Sequence, residues 1–216
     1  MLFRSLLAAA ERDSFHVTIY YEQASSTEKI FQDLQYILLK YTRSSAFLKV
    51  GARPVIFFYG RVTGRFSQDN WRDLFERLDR EGLGIFAVAD GFGEDLMRSF
   101  NGVHTYNPVT MPFDKVWALY LSSASRAKGM GKLFAATVLP GYDDRFVRQP
   151  GIAQDRQNGR YYRAYWDAAI DSDPQWILIT SFNEWHEGSE IEPSVELGDQ
   201  YLQLTRELAE RWKSRR

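Results

Sequence analysis

Trp176-Ile-Leu-Ile-Thr-Ser-Phe-Asn183-Glu184-Trp185-His186-Glu187-Gly188-Ser189-Glu190-Ile191-Glu192-Pro193 is a run in which an apolar strand empties into acid. Trp176 to Ser181 reads as a buried β-strand. Five of the nine residues from Glu184 to Glu192 are Glu or His, and Gly and Pro close the run. Carboxylates are costly to bring together and to desolvate, so such a cluster at the C-terminal end of a strand points to chemistry rather than support.

Working outward, the same strand-then-helix alternation recurs. Strands are expected at His16–Tyr21, Pro54–Tyr59, Gly84–Ala89, Gly102–Tyr106 and Lys132–Val138, each a β-branched or aromatic run. Helical stripes follow them. Ile30, Leu34, Ile37, Leu38 and Tyr41 form one, opened by a capping box at Ser25-Ser-Thr-Glu28. Trp71, Leu74, Phe75 and Leu78 form another, and Phe113, Val116, Trp117, Tyr120 and Leu121 a third. A short helix is expected through Leu96 and Met97. Tyr162, Tyr165, Trp166 and Ala169 precede the last strand, and Tyr201, Leu204, Leu208 and Trp212 mark a closing helix. These aromatic stripes read as core packing. Leu2 to Arg12 reads as an amphipathic helix rather than a signal peptide, because no basic segment precedes its apolar part.

Six near-continuous apolar strands, each followed by a helix, imply a parallel sheet covered on both sides. No Gly-rich phosphate loop follows any strand, so a nucleotide-binding sheet has no support. Glu22, Arg61, Asp90, Asn107, Tyr142 and Glu184/Glu187 all fall just past strand ends. That is the layout of a (β/α)8 TIM barrel, whose βα loops build one active face. With six strands instead of eight, the expected fold is an α/β barrel that is incomplete, lacking its first two βα units. On that view residues 1–216 are a single partial-barrel domain, and Leu2–Arg12 is the helix after the missing second strand.

Composition narrows the function classes. A chain of 216 residues with 44% hydrophobic and 25% charged residues can bury a sizeable core. The net charge of −1 supplies no basic field for nucleic acid and no polybasic patch for a membrane surface. There is no cysteine, hence no disulfide, thiolate metal site or cysteine nucleophile. No run approaches the ~18 apolar residues of a membrane span. Aromatic residues reach 15%, which serves a core and also serves sugar-stacking platforms.

Asn183-Glu-Trp-His-Glu-Gly-Ser-Glu-Ile-Glu-Pro193 resembles the signature of glycoside hydrolase family 99. Phe15-His-Val-Thr-Ile-Tyr-Tyr-Glu22, Gly102-Val-His-Thr-Tyr106, Pro140-Gly141-Tyr142 and Asn158-Gly159 with Tyr161, Tyr162 and Trp166 agree in order with other family stretches. The similarity runs from Phe15 to the closing helix. Two departures stand out. The first two βα units of the family have no counterpart, and Tyr20-Tyr21-Glu22-Gln23 stands where the family usually shows Glu-Pro-Tyr. The resemblance implies an endo-acting, retaining α-mannosidase that works on mannose-containing glycans without metal or organic cofactor. It implies Glu184 as general base on the sugar's own 2-hydroxyl, which attacks C1 to give a 1,2-anhydro sugar. It implies Glu187 as the acid that protonates the leaving oxygen and then activates water.

The residues themselves allow this. Glycoside cleavage usually needs two carboxyl groups, and two Glu three apart on a turn can share one pocket, where like charge raises the pKa of one. The same turn could instead be a solvated acidic loop. Around the pair, His186 reads as a sugar contact, a Glu orienter or a satisfied loop histidine. Trp185 reads as a sugar platform or a core plug. Asn183 reads as a hydroxyl contact or, more simply, a turn cap. Tyr142, Tyr106 and Glu22 are further substrate-binding candidates, with Asp90, Tyr59 and Asn107 as possible cleft residues. Glu190 and Glu192 read as surface or supporting groups, and Arg145 and Arg148 as surface ion pairs. Two rival functions stay open. One is an inactive or carbohydrate-binding remnant of the barrel. The other is a metal-dependent hydrolase using Glu184, His186, Glu187, Glu190 and Glu192, although the only other histidines are His16 and His104.

Overall fold

The computed structural model describes residues 2–215, and the chain divides into two compact units, Met1–His104 and Thr105–Arg216. Among the described residues no helix is long and apolar enough to cross a membrane.

The first unit runs α1 (Leu2–Arg12), β1 (Ile19–Tyr21), α2 (Thr27–Tyr41), β2 (Lys49–Val50), β3 (Arg53–Phe58), α3 (Gly60–Thr63), α4 (Gln68–Arg80), β4 (Phe86–Asp90), α5 (Glu94–Ser99) and β5 (Gly102–His104). Strands β1, β3, β4 and β5 pair in parallel in that order, and β2 adds antiparallel to β3. Val55 to Phe58 are all buried, as expected of a parallel strand covered on both faces. Helix α2 buries Ile30, Phe31, Leu34, Ile37 and Leu38, and α4 buries Trp71, Leu74 and Leu78. Trp71 lies 4.9 Å from Phe100 and 5.4 Å from Phe58, ring centre to ring centre, at the distances where aromatic pairs attract beyond their buried area.

Two expectations shift here. The cap of α2 is Ser26, whose extended backbone lets its hydroxyl accept from the Lys29 amide at 3.1 Å; the box drawn on Ser25 and Glu28 is one residue early. Strand β1 begins at Ile19 rather than His16, because Val17 pairs elsewhere. Its amide donates to Ala46 and its carbonyl accepts from Leu48, both at 2.8 Å.

The second unit runs α6 (Phe113–Gly129), β6 (Leu133–Val138), a small antiparallel pair β7 (Tyr142–Asp143) and β8 (Ala153–Gln154), a 3₁₀ turn (Gln157–Gly159), α7 (Arg160–Asp171), β9 (Trp176–Ile179), a second 3₁₀ turn (Trp185–Glu187) and α8 (Gln200–Lys213). Strands β6 and β9 are parallel, with Ala135 opposite Trp176 and Val138 opposite Ile179. Phe134, Ala135, Ala136 and Val138 meet Tyr120, Tyr162, Tyr165 and Trp166 in the core. Their buried hydroxyls find hydrogen-bond partners, as burial demands: Tyr120 donates to the Thr137 carbonyl at 2.6 Å, Tyr162 pairs with Thr205 at 2.9 Å, and Tyr165 accepts from Tyr161 at 3.3 Å. Strand β9 ends two residues short of Ser181. Thr180 still donates its amide to Val138 at 3.0 Å, and its hydroxyl bonds the Tyr106 carbonyl at 2.9 Å.

Candidate active site

Past β9 the chain folds back on itself. The Ser181 amide donates to Ser189 at 2.8 Å, and Ile191 returns a bond to Ser181 at 3.0 Å. The Ser181 hydroxyl accepts from the Glu184 amide at 2.9 Å, so the cap of this turn is Ser181 and not the exposed Asn183. Glu187 then donates its amide to the Glu184 carbonyl at 3.1 Å. Glu184 stands directly before the 3₁₀ turn, at φ −79° and ψ 73°, and Glu187 is the last residue of that turn. Gly188 ends the turn at φ +56°, where a side chain would stand 3.0 Å from the Asp143 amide. Backbone conformation and lack of space both call for glycine there.

Glu187 is held from two directions. Its Oε2 accepts from the Tyr106 hydroxyl at 3.0 Å, and its Oε1 accepts from Arg148 Nη2 at 2.9 Å. The other arm of Arg148 reaches Asp144 Oδ2 at 2.7 Å and the Tyr142 hydroxyl at 2.8 Å. Asp144, 2% exposed, also accepts from the Ile152 amide at 2.6 Å and from Tyr142 at 3.1 Å. Burial, then the charge and hydrogen bond of Glu187, then the charge of Glu184 push the Tyr106 phenol well above its ordinary pKa. Burial and the Glu187 charge do the same for Tyr142, against the opposing pull of Arg148. Both phenols therefore stay protonated. The Ile152 amide and Arg148 hold the Asp144 carboxyl below its ordinary value. Asp144 and Glu187 raise that of Arg148.

Of the residues named from sequence, Glu187, Tyr106 and Tyr142 come together, and Glu184 is exposed one turn away, where its charge still reaches Tyr106. Trp185 sits on the same turn, 48% exposed, and its indole donates to Glu192 at 2.8 Å, so it is not a core plug. His186 and Asn183 are exposed beside it. Glu22 belongs to the first unit, where it lines a cavity of about 550 Å³ with Lys29, Arg61 and Arg65. Asp90 accepts from the Gly60 amide and Asn107 from the Val109 amide, which makes both of them braces of their own loops. Arg148 corrects the surface reading: it bridges Glu187 to Asp144. Glu190 is buried at 7% exposure and paired with Arg156 at 2.6 Å. Among the described residues no group of three or more Asp, Glu, His or Cys side chains is arranged to hold a metal ion. Asp144 and Arg148 carried one legible sign, an i, i+4 charge pair just past Pro140-Gly141-Tyr142.

Parallel strands followed by helices, with polar side chains gathered just past the strand ends, define the (β/α)8-barrel class. A solved GH99 endo-alpha-mannosidase from Bacteroides thetaiotaomicron shares this fold over 97% of the chain and 70% of its own length, at 28% identity and a TM-score of 0.87. The chain thus carries part of such a barrel, six parallel strands among the described residues. The sequence matches the glycosyl hydrolase family 99 pattern over residues 2–207, and the chain belongs to that family. It is 27% identical to the glycoprotein endo-alpha-1,2-mannosidase of Rattus norvegicus, over all of this chain and 54% of that protein. It is 28% identical to the enzyme of the same name from Xenopus laevis, over 84% of this chain and 44% of that protein. The chain spans about half the length of the curated relatives it matches.

Proposed function

We propose that residues 1–216 act as one glycoside-hydrolase domain that cleaves internal α-mannosidic bonds of mannose-containing glycans with retention, and that Glu184 and Glu187 perform the chemistry. In an α-mannoside the 2-hydroxyl and the leaving oxygen are both axial and on opposite faces of the ring. The 2-oxygen can therefore attack C1 from behind. Glu184 takes the proton of the 2-hydroxyl as the C1–O2 bond forms. The C1–leaving-group bond breaks, and Glu187 delivers its proton to the departing oxygen. Water then attacks C1 and gives its proton to Glu187, while the three-membered ring opens and Glu184 returns its proton to O2. Arg148 is half-exposed and swings off Glu187 when that residue carries its proton, while Tyr106 keeps it aimed. Tyr142, His186, Trp185 and Asn183 contact the sugar hydroxyls and ring faces; Glu22 is a separate substrate-binding candidate within the first unit.

The observation that carries this reading is the double hold on Glu187 by Tyr106 and Arg148, one 3₁₀ turn from Glu184. Loss of a positioned acid or base costs roughly 10²–10⁴-fold in rate. Glu184→Gln and Glu187→Gln, assayed on an α-mannosyl oligosaccharide with NMR detection of the released anomer, should each lose turnover on that scale while keeping the fold. Release of the β-anomer would overturn the retaining mechanism. Glycan binding with no turnover in the parent chain would favour the carbohydrate-binding alternative.

A further inference from the structure

The turn that carries Glu184 and Glu187 is closed by its own bonds, from Ser181 to Ser189 and from Ile191 back to Ser181, and these fix its shape but not its seat on the rest of the second unit. The geometry points to Arg156, a residue outside the acid–base pair, as the group that positions this turn, and this inference rests on the function proposed above.

Arg156 lies just before the 3₁₀ turn Gln157–Gly159. Its Nη2 donates to the Gly188 carbonyl at 3.0 Å and to Glu190 Oε1 at 2.6 Å, and its Nη1 donates to the Glu190 carbonyl at 2.9 Å. One guanidinium thus grips the backbone directly after Glu187 at two points and the carboxylate two residues further on. Its side chain is 17% exposed and that of Glu190 is 9% exposed. A charge-assisted, forked contact sheltered in this way holds geometry far better than a surface pair.

The guanidinium is anchored in turn. It lies over the Tyr201 ring at 4.7 Å from the centroid, which ties it to α8. Its stem crosses the turn after β6, where a Cβ on Gly141 would stand 2.4 Å from Arg156 Cγ. Gly141 is thus the space through which Arg156 reaches the turn. Downstream, Gln157, Asn158 and Gly159 all have positive φ, a costly conformation for the first two. The Asn158 side chain accepts from Gln200 at 2.9 Å, and Gly159 leaves no room for a Cβ against Leu204. The segment presenting Arg156 is therefore locked to α8 on both sides of the strained turn.

Lysine cannot replace this contact, because a single ammonium lacks the planar fork that spans two carbonyls and a carboxylate. Displacing a catalytic group by about 1 Å costs on the order of 10²-fold in rate.

The test reads position and turnover separately. Amide hydrogen exchange is followed in peptides covering residues 181–193 of the parent chain, Arg156→Lys and Arg156→Met, with peptides of α7 as the reference for global folding. The Glu187, Ser189 and Ile191 amides should exchange at least tenfold faster in Arg156→Met, and by an intermediate amount in Arg156→Lys, with α7 unchanged. On an α-mannosyl oligosaccharide, kcat should fall roughly 10²-fold in Arg156→Met with KM within about threefold. Added guanidinium ion should restore part of kcat in Arg156→Ala. Unchanged exchange in residues 181–193 overturns the inference, and so does a loosened turn with undiminished kcat. If the parent chain itself shows no turnover, the glycosidase reading fails, and the exchange measurement alone decides the role of Arg156. If Arg156→Met fails to fold, Glu190→Gln decides: it keeps both carbonyl contacts, and a smaller rise in exchange confined to residues 181–193 supports the inference, whereas none overturns it.

Discussion

In the Met1–His104 unit, Asp90 ends β4 and turns its carboxylate onto the chain itself. Its Oδ2 accepts from the Gly60 amide at 3.0 Å, and its carbonyl accepts from the Thr63 hydroxyl at 2.9 Å. In the Thr105–Arg216 unit, Glu187 follows β9 and accepts from two side chains, Tyr106 and Arg148. Both are acids at or beyond the C-terminal end of a parallel strand, and residue type does not separate them. Their donors do. A backbone amide cannot leave without unmaking the loop, so a carboxylate satisfied by one is a brace. Side-chain donors can turn away, above all one as exposed as Arg148, so a carboxylate satisfied by them remains available to a substrate.

Substituting each acid by its amide breaks the comparison most sharply. Glu187→Gln should lower kcat by roughly 10²–10⁴-fold with a melting temperature near that of the parent. Asp90→Asn should do the opposite, leaving kcat within about twofold and lowering stability by up to about 1.5–3 kcal/mol, the scale of a hydrogen bond to a charged group. Denaturant melts and steady-state rates on the same two proteins check the crossing. A large kcat loss in Asp90→Asn would mean that a braced carboxylate also works.

Removing the donors from Glu187 sharpens the contrast. Arg148→Met and Tyr106→Phe each take one of its two anchors. Each should cost about tenfold in kcat, as expected when one hydrogen bond of about 1.4 kcal/mol is lost from the transition state. The double variant should lose less than the product of the two, since both act through one carboxylate. Strict additivity measured in such a cycle would separate their roles.

What could be read in the sequence follows the same line between local and tertiary causes. Val55 to Phe58 announce a covered parallel strand because every residue of the run is apolar, and no partner need be known. The Glu184–Gly188 turn is legible because its spacing and its glycine are local. Arg148 is not, because an arginine in a loop looks like any surface charge until Glu187, 39 positions away, is brought to it. Glu190 is buried only because Arg156 meets it across 34 positions. The choice of Ser26 over Ser25 as the cap of α2 turns on one backbone conformation between two identical residues. Strands β7 and β8 are two residues each, too short to show a period.

The smallest expected effect lies in the loop that delivers Arg148. Asp144 stands between the two cases, since one oxygen accepts from the Ile152 amide and the other from Arg148 and Tyr142. The Ile152 amide first, and then Arg148, depress its carboxyl. A depressed folded value means that the ionised form stabilises the loop above the unfolded Asp value of about 3.9, and that this support is lost as pH falls through the lower folded value. Its half-buried neighbour Asp143, lowered to about 2 by Arg145, should keep its charge well below the ordinary aspartate value. Acidification should therefore release Ile152 and the Asp144 arm of Arg148 while the Asp143–Arg145 pair persists. The Ile152 amide resonance should titrate with a midpoint below about 3.9 and should lose that titration in Asp144→Asn. A midpoint at or above the ordinary aspartate value would show that Arg148 is not held by Asp144. Its grip on Glu187 would then have to be set elsewhere.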